Sequence, residues 1–134
     1  MKNLYNTILS RIASQVPEIK MVDFDMGQLE LLANDLRPGL IFPCCLVDLE
    51  YTDCEDTYDG QQLVSARITL KLAFEVQHPS DSLTQEARRN SALSIFDTVN
   101  KLHVAFQWFS TDEFSAFSRL SLAPDRRFTG IKVF

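Results

Sequence analysis

The chain has 134 residues, of which 46% are hydrophobic and 23% charged. That length suits one domain, here residues 1–134, and the composition excludes disordered, collagen-like and low-complexity proteins. Eighteen acidic against 13 basic residues give a formal net charge of −5, which argues against duplex nucleic acid as a main partner because such binding needs a basic surface, and we expect no sequence-specific nucleic-acid binding. We see no apolar run long enough for a membrane span and no signal-peptide pattern at the start, so we expect no membrane partner.

The first third of the chain predicts a helix and a short strand. Apolar residues at steps of three and four give a helical stripe over residues 4–16, and Pro17 should end it. Alternation over residues 19–26 predicts a strand. Residues 28–36 fit either a helical turn or an irregular crossing, and residues 37–39 (RPG) predict a turn.

A long hairpin is the most distinctive feature of the sequence. Residues 44–53 alternate between apolar and polar, and so do residues 64–76, a run that would span roughly 40 Å as a strand. The acidic segment between them ends in Asp59-Gly60, a turn signal. We expect an antiparallel pair with Asp53, Glu55, Asp56 and Asp59 at its end. Two alternatives stay open: the hairpin projects and offers itself to another chain, or it bends within one subunit.

The second half predicts another helix and two closing strands. Ser82 with Gln85 fits a capping box, followed by a helical stripe that ends at Phe106. Alternation then predicts strands over residues 118–122 and 129–133. The expected fold class is therefore α+β, in the order α-β-β-β-α-β-β: a mostly antiparallel sheet with a long projecting hairpin, packed against two helices.

Aromatic residues cluster after the second predicted helix, at Phe106, Trp108, Phe109, Phe114 and Phe117. One interpretation is a lid on the core, and the other is an exposed anchor for another subunit. As candidate interface residues we take Trp108, Phe109 and Phe114, together with the four acidic residues of the hairpin.

No residue pattern points to catalysis, to a metal or to a cofactor. Cys44, Cys45 and Cys54 lack metal-ligand spacing, and His78 and His103 lie far from them in sequence. Cys44 and Cys45 are neighbours that should face opposite sides of a strand, which favours free structural thiols. Four glycines leave little material for a phosphate loop, and the acidic turn lacks the spacing of a calcium loop. We expect a protein that is not an enzyme.

The element order and residues 37–47 (RPGLIFPCCLV) resemble small bacteriophage tail terminator, or tail completion, proteins. The resemblance implies a homo-oligomer, a hexameric ring that caps the tail tube, stops its growth and presents a surface to neck proteins. It implies a hairpin that reaches a neighbour or the tube, and a location in the cytoplasm during assembly and then in the virion tail. The last predicted strand is shorter than in that pattern. The alternative function is a small ligand-binding or regulatory α+β domain of bacterial origin, with a pocket between the second helix and the sheet.

Overall fold

The computed structural model describes residues 1–34, 39–76, 79–128 and 130–134. Within these ranges the chain forms, in order, α1 (Lys2–Gln15), β1 (Met21–Phe24), α2 (Gln28–Ala33), β2 (Cys44–Asp56), β3 (Gln62–Glu75), α3 (Glu86–Leu93), α4 (Ile95–Phe106) and β4 (Ile131–Val133). The α+β fold class is confirmed. Of the turn predicted at residues 37–39, the first two residues lie outside the described ranges, as does His78.

The strands form one mixed sheet in the order β1-β2-β3-β4. β1 runs parallel to β2, with Met21 opposite Cys44. The other two pairings are antiparallel, and Ala73 of β3 lies opposite Cys44 on one side and Val133 on the other. A parallel pair needs a crossover, and α2 lies within the crossover between β1 and β2.

Helices cover both faces of the sheet at one end of the β2–β3 hairpin. On the first face α1 and α4 pack over Cys45, Val47, Leu72 and Phe74. On the second face Leu29 of α2 packs against Cys44, Leu46, Ala73 and Val133. Because successive strand residues point to opposite faces, the pair Cys44 and Cys45 contributes one buried thiol to each side, and both are 0% exposed.

The second predicted helix differs from the structure at its start and in its continuity. The capping box does not form: Asp81 instead accepts hydrogen bonds from the Leu83 N–H and the Thr84 hydroxyl, both at 2.8 Å, and the helix begins at Glu86. It is then interrupted at Ser94, whose hydroxyl donates to the Ser91 carbonyl at 2.7 Å. A serine hydroxyl bonded in this way competes with the helical ladder. α3 buries no residue, whereas α4 carries the buried stripe.

The strand predicted over residues 118–122 does not form. Leu120 is 81% exposed and Leu122 is 53% exposed, so this alternating run packs on no layer. The chain just before it bonds to the end of α4 instead, and it rejoins the sheet through a single bridge from Asp125 to Val133. The observed order therefore adds α2, divides the second predicted helix and lacks one predicted strand.

Candidate functional site

The outer half of the hairpin extends beyond the two core clusters, with one link to the start of α1, where the Met1 amino group donates a hydrogen bond to the Tyr51 hydroxyl at 2.8 Å. We call residues 50–67 the arm, which comprises the ends of β2 and β3 and the turn between them. Each of its residues is exposed except Val64, which is half-buried. The six steps from Glu50 to Asp56 add roughly 20 Å of strand beyond the last residues that touch the core. The arm therefore presents both of its faces to solvent.

Hydrogen bonds close the end of the arm, residues 57–61, which we call the tip. The Thr57 backbone N–H and hydroxyl both donate to the Gln61 carbonyl at 2.8 Å. Gly60 has φ +70, a left-handed conformation that glycine adopts without strain. At the apex stands Tyr58, whose side chain is fully exposed. Sequence reasoning missed Tyr58, although a lone aromatic residue among acidic ones was the available signal.

A β-bulge lies within the arm, just beyond the pair formed by Tyr51 and Ala66. The register shifts between Tyr51 and Asp53, and the Thr52 hydroxyl donates to the Ser65 carbonyl at 3.2 Å. A bulge of this kind moves the following residues to the opposite face. Beyond it, Cys54 pairs with Val64, while Asp53 and Glu55 lie on the other face opposite Ser65 and Leu63.

The predicted acidic residues all lie on the arm, and they give it most of the protein's net charge. Glu50, Asp53, Glu55, Asp56 and Asp59 stand there against a single basic residue, Arg67. Arg67 and Glu50 approach to 3.4 Å, but both side chains are more than half exposed, and such pairs contribute little stability. The arm therefore carries a formal charge of −4 out of the chain's −5, while the rest of the molecule is almost neutral.

The three predicted aromatic interface residues occupy different environments. Trp108 is 74% exposed, whereas Phe109 and Phe114 are half-buried against the core. The Phe106 and Phe117 rings stack with centroids 5.9 Å apart, and the Phe109 ring meets both edge-on. The two interpretations of this cluster therefore apply to different residues: the phenylalanines cover the core, and Trp108 faces solvent.

Trp108 is also held in an unusual backbone conformation. Its φ is +63, a left-handed value that costs a bulky residue roughly 1–2 kcal/mol. Its N–H donates to the Phe117 carbonyl at 2.9 Å, and the Phe117 N–H donates to the Phe109 carbonyl at 2.9 Å. These two bonds fix the turn, so that the indole points outward from a rigid support.

An apolar groove lies at the other end of the sheet from the arm. It has a volume of about 610 Å³, and we call it the groove. Its walls include Phe96 of α4, Ile131 of β4, Phe128 and Phe134, and Arg126 and Lys132 line it as well. Asp125, another lining residue, is bound by Arg127 through contacts of 2.6 to 3.0 Å. The groove therefore combines aromatic walls with two exposed cations.

The two buried cysteines, Cys44 and Cys45, are unsuited to nucleophilic chemistry. Burial raises the pKa of the Cys44 thiol to about 11 and that of the Cys45 thiol to about 12, so neither forms a thiolate near neutral pH, and the thiolate is the reactive species. Cys54 is exposed on the arm. Across the described ranges no group of three or more His, Cys, Asp or Glu side chains could hold a metal ion.

Comparisons with protein-family models, with curated proteins and with solved structures find no match to this chain. Over the residues that the structure describes, none of the helices has the length and apolar character needed to cross a lipid bilayer. The arm, the exposed Trp108 and the groove are thus the features from which a function must be argued.

Proposed function

We propose that the protein is a non-enzymatic assembly subunit of a phage or prophage tail, of the tail terminator type. In this role copies of the chain form a ring that caps the tail tube and joins it to the neck. The protein would act in the cytoplasm during assembly and remain in the virion tail.

The observation that carries the proposal is the arm. A two-stranded hairpin without a third strand or a packed face is marginally stable in water, and residues 50–67 are exposed on both faces. Exposed strands of this kind are available for contact with another chain. A subunit that ends in a long, unsupported hairpin is therefore suited to reaching a neighbour.

The phage tail part of the proposal has a separate support, the resemblance of residues 37–47 and of the element order to tail terminator proteins. Ring subunits need two different surfaces that meet by rotation. The arm and the body of this protein differ strongly in shape and charge, so they are candidates for those two surfaces.

A second function has one observation in its favour. The groove lies between α4 and the C-terminal strand, where a small ligand-binding or regulatory α+β domain would hold its ligand, and its volume is in the range of small-molecule sites. A ligand-binding domain of this kind gives no role to the arm, so we rank it second.

The proposal is tested by disrupting the gene in a lysogen or phage that carries it. Electron microscopy of the induced lysate should show tail tubes of excessive and variable length, without attached heads. A plasmid copy of the wild-type gene should restore tails of uniform length. Joined, normal-length tails in the disrupted strain would refute the tail terminator function.

A further inference from the structure

We infer that the tip of one copy docks into the groove of a second copy, with Tyr58 as the anchor. This inference rests on the proposed role as an assembly subunit, and it names both surfaces of the contact. The occupant of the groove is thus another molecule of this same chain.

The shape and polarity of the two surfaces correspond. Tyr58 is fully exposed at the apex of a turn fixed by hydrogen bonds, so docking it would require little ordering. Its ring suits the aromatic walls formed by Phe96, Phe128 and Phe134. Tyrosine anchors of this type, placed in an apolar depression, contribute much of the binding energy of protein interfaces.

The charges of the two surfaces are opposite. Asp56 and Asp59 flank Tyr58, and the groove presents Arg126 and Lys132. Asp125, the acidic residue of the groove lining, is already bound by Arg127. Complementary charges of this kind orient two partners and speed their encounter.

The geometry of the sheet makes the contact intermolecular. The tip precedes Gln62, the first residue of β3, whereas β4 of the groove pairs with β3 at Ala73 and Glu75. The tip and the groove therefore lie near opposite ends of a strand that is roughly 40 Å long. A chain cannot fill its own groove. Two copies that exchange tips form a closed dimer, whereas a one-way contact between the two surfaces leads to a ring or a filament.

Cross-linking between two cysteine variants tests the contact directly and keeps Tyr58 in place. One protein carries Cys54→Ser and Gln61→Cys, because the Gln61 side chain is exposed in the tip and only its backbone carbonyl holds the turn. The other carries Cys54→Ser and Leu122→Cys, in which Leu122 is a half-exposed residue of the groove lining. The exposed native thiol is thereby removed, and the buried Cys44 and Cys45 stay reduced.

The matched control replaces Leu122→Cys with Met26→Cys. Met26 is 81% exposed and lies just after β1, at the opposite edge of the sheet from β4. Under mild oxidation, we expect at least tenfold more disulfide-linked heterodimer from the 61–122 mixture than from the 61–26 mixture. Equal yields, or no linked dimer from either mixture, would overturn the inference.

Complementation provides a second readout. Tyr58→Ala removes the anchor, and the double variant Arg126→Glu, Lys132→Glu reverses the charge of the groove; all three residues are exposed, so both proteins should fold. Each variant alone should associate at least tenfold more weakly than the wild-type protein. Mixed together, the two variants should form a one-to-one dimer, because the charge-reversed protein keeps an intact tip and Tyr58→Ala keeps an intact groove. If the wild-type protein associates but this mixed dimer does not form, the tip-to-groove assignment is wrong.

The two proposals can fail separately. If the tip cross-links to the groove but tails are normal when the gene is disrupted, the self-association stands and the tail terminator function is refuted. If tails lose length control when the gene is disrupted but the tip never cross-links to the groove, the tail terminator function stands and this contact is refuted.

Discussion

The two halves of the β2–β3 hairpin are built from the same two strands, yet they have opposite surroundings. The base, residues 44–49 and 68–75, lies between α1 and α4 on one face and α2 on the other, and it contains the most deeply buried side chains of β2. The arm continues the pairing for a further six residue pairs with both faces in water. The two strands thus stay paired well beyond the core that supports them. The base is the part that folds the domain, and the arm is the part free to contact another chain.

The cysteines should show the largest difference between the base and the arm. Cys54 of the arm is exposed, while burial raises the pKa values of Cys44 and Cys45 to about 11 and about 12. In the native protein, Cys54 should react with a thiol reagent at least about a hundredfold faster than Cys44 and Cys45, because burial both shields those two thiols from the reagent and suppresses their thiolates. Time-resolved mass spectrometry should show one labelled thiol in the native protein and three after denaturation. Fast labelling of Cys44 or Cys45 in the native protein would contradict their burial between the helical layers of the base.

A pair of leucine substitutions measures the same contrast as stability. Leu46 is 0% exposed in the base, whereas Leu63 in the arm is 66% exposed. Leu46→Ala should lower the free energy of unfolding by about 3 kcal/mol, because it removes buried methyl groups and leaves a cavity. Leu63→Ala should change it by less than about 0.5 kcal/mol. Urea unfolding of both variants provides the measurement, and comparable losses would mean that the arm is part of the folding core.

Ion pairs offer a third comparison. The pKa of Asp125 is lowered from 3.8 to about 2 by hydrogen bonds from Arg127, so the pair stabilises the fold above pH 4 and this contribution disappears as the pH falls through 2. Because Arg127 is largely exposed, Asp125→Asn should cost only about 1 kcal/mol near neutral pH. The difference from wild type should shrink steadily between pH 4 and pH 2.

Glu50→Gln is the matched control for Asp125→Asn, since its Arg67 partner lies on the exposed arm. We expect no measurable loss of stability at any pH from this change. A pH-dependent loss as large as that of Asp125→Asn would show that the arm is held more firmly than its exposure indicates.

The sequence predicted the hairpin well, because an alternating pattern reports strand pairing directly. The pattern could not show which part of the hairpin is covered by helices. Val64 and Ala66 alternate with polar residues in the same way as Leu70 and Leu72, but only Leu70 and Leu72 lie in the base. The same limit explains the error over residues 118–122, where Leu120 alternates like a strand residue but remains exposed. Burial depends on helices that are distant in sequence.

The remaining differences have local physical causes. α2 has only six residues, too few for a clear helical stripe. The interruption at Ser94 depends on one side-chain hydrogen bond. A pocket between the second helix and the sheet was part of the alternative prediction, but its lining could not be predicted, because the groove assembles residues from α4, from the segment before β4 and from β4 itself. The buried cysteine pair, by contrast, followed directly from strand geometry.

Position 108 provides a test of backbone strain, because we expect Trp108 to lower the stability of the fold there. Its φ of +63 and its 74% exposed side chain mean that it adds backbone strain and little burial. Trp108→Gly should therefore be at least as stable as Trp108→Ala, by up to about 1 kcal/mol, since glycine accepts a positive φ. Thermal unfolding compares the two, and a less stable glycine variant would show that the strained turn is not retained in solution.

Removing most of the arm should change stability very little, and it gives the sharpest test of the division between the two halves. Tyr51 pairs with Ala66, so residues 52–65 can be replaced by Asn-Gly, a two-residue turn that suits a tight hairpin. The shortened protein keeps both core clusters, and we expect its free energy of unfolding to stay within about 0.5 kcal/mol of wild type. A shortened protein that folds normally and no longer assembles would establish that folding belongs to the base and contact to the arm, whereas a protein that unfolds would show that the two functions share one structural unit.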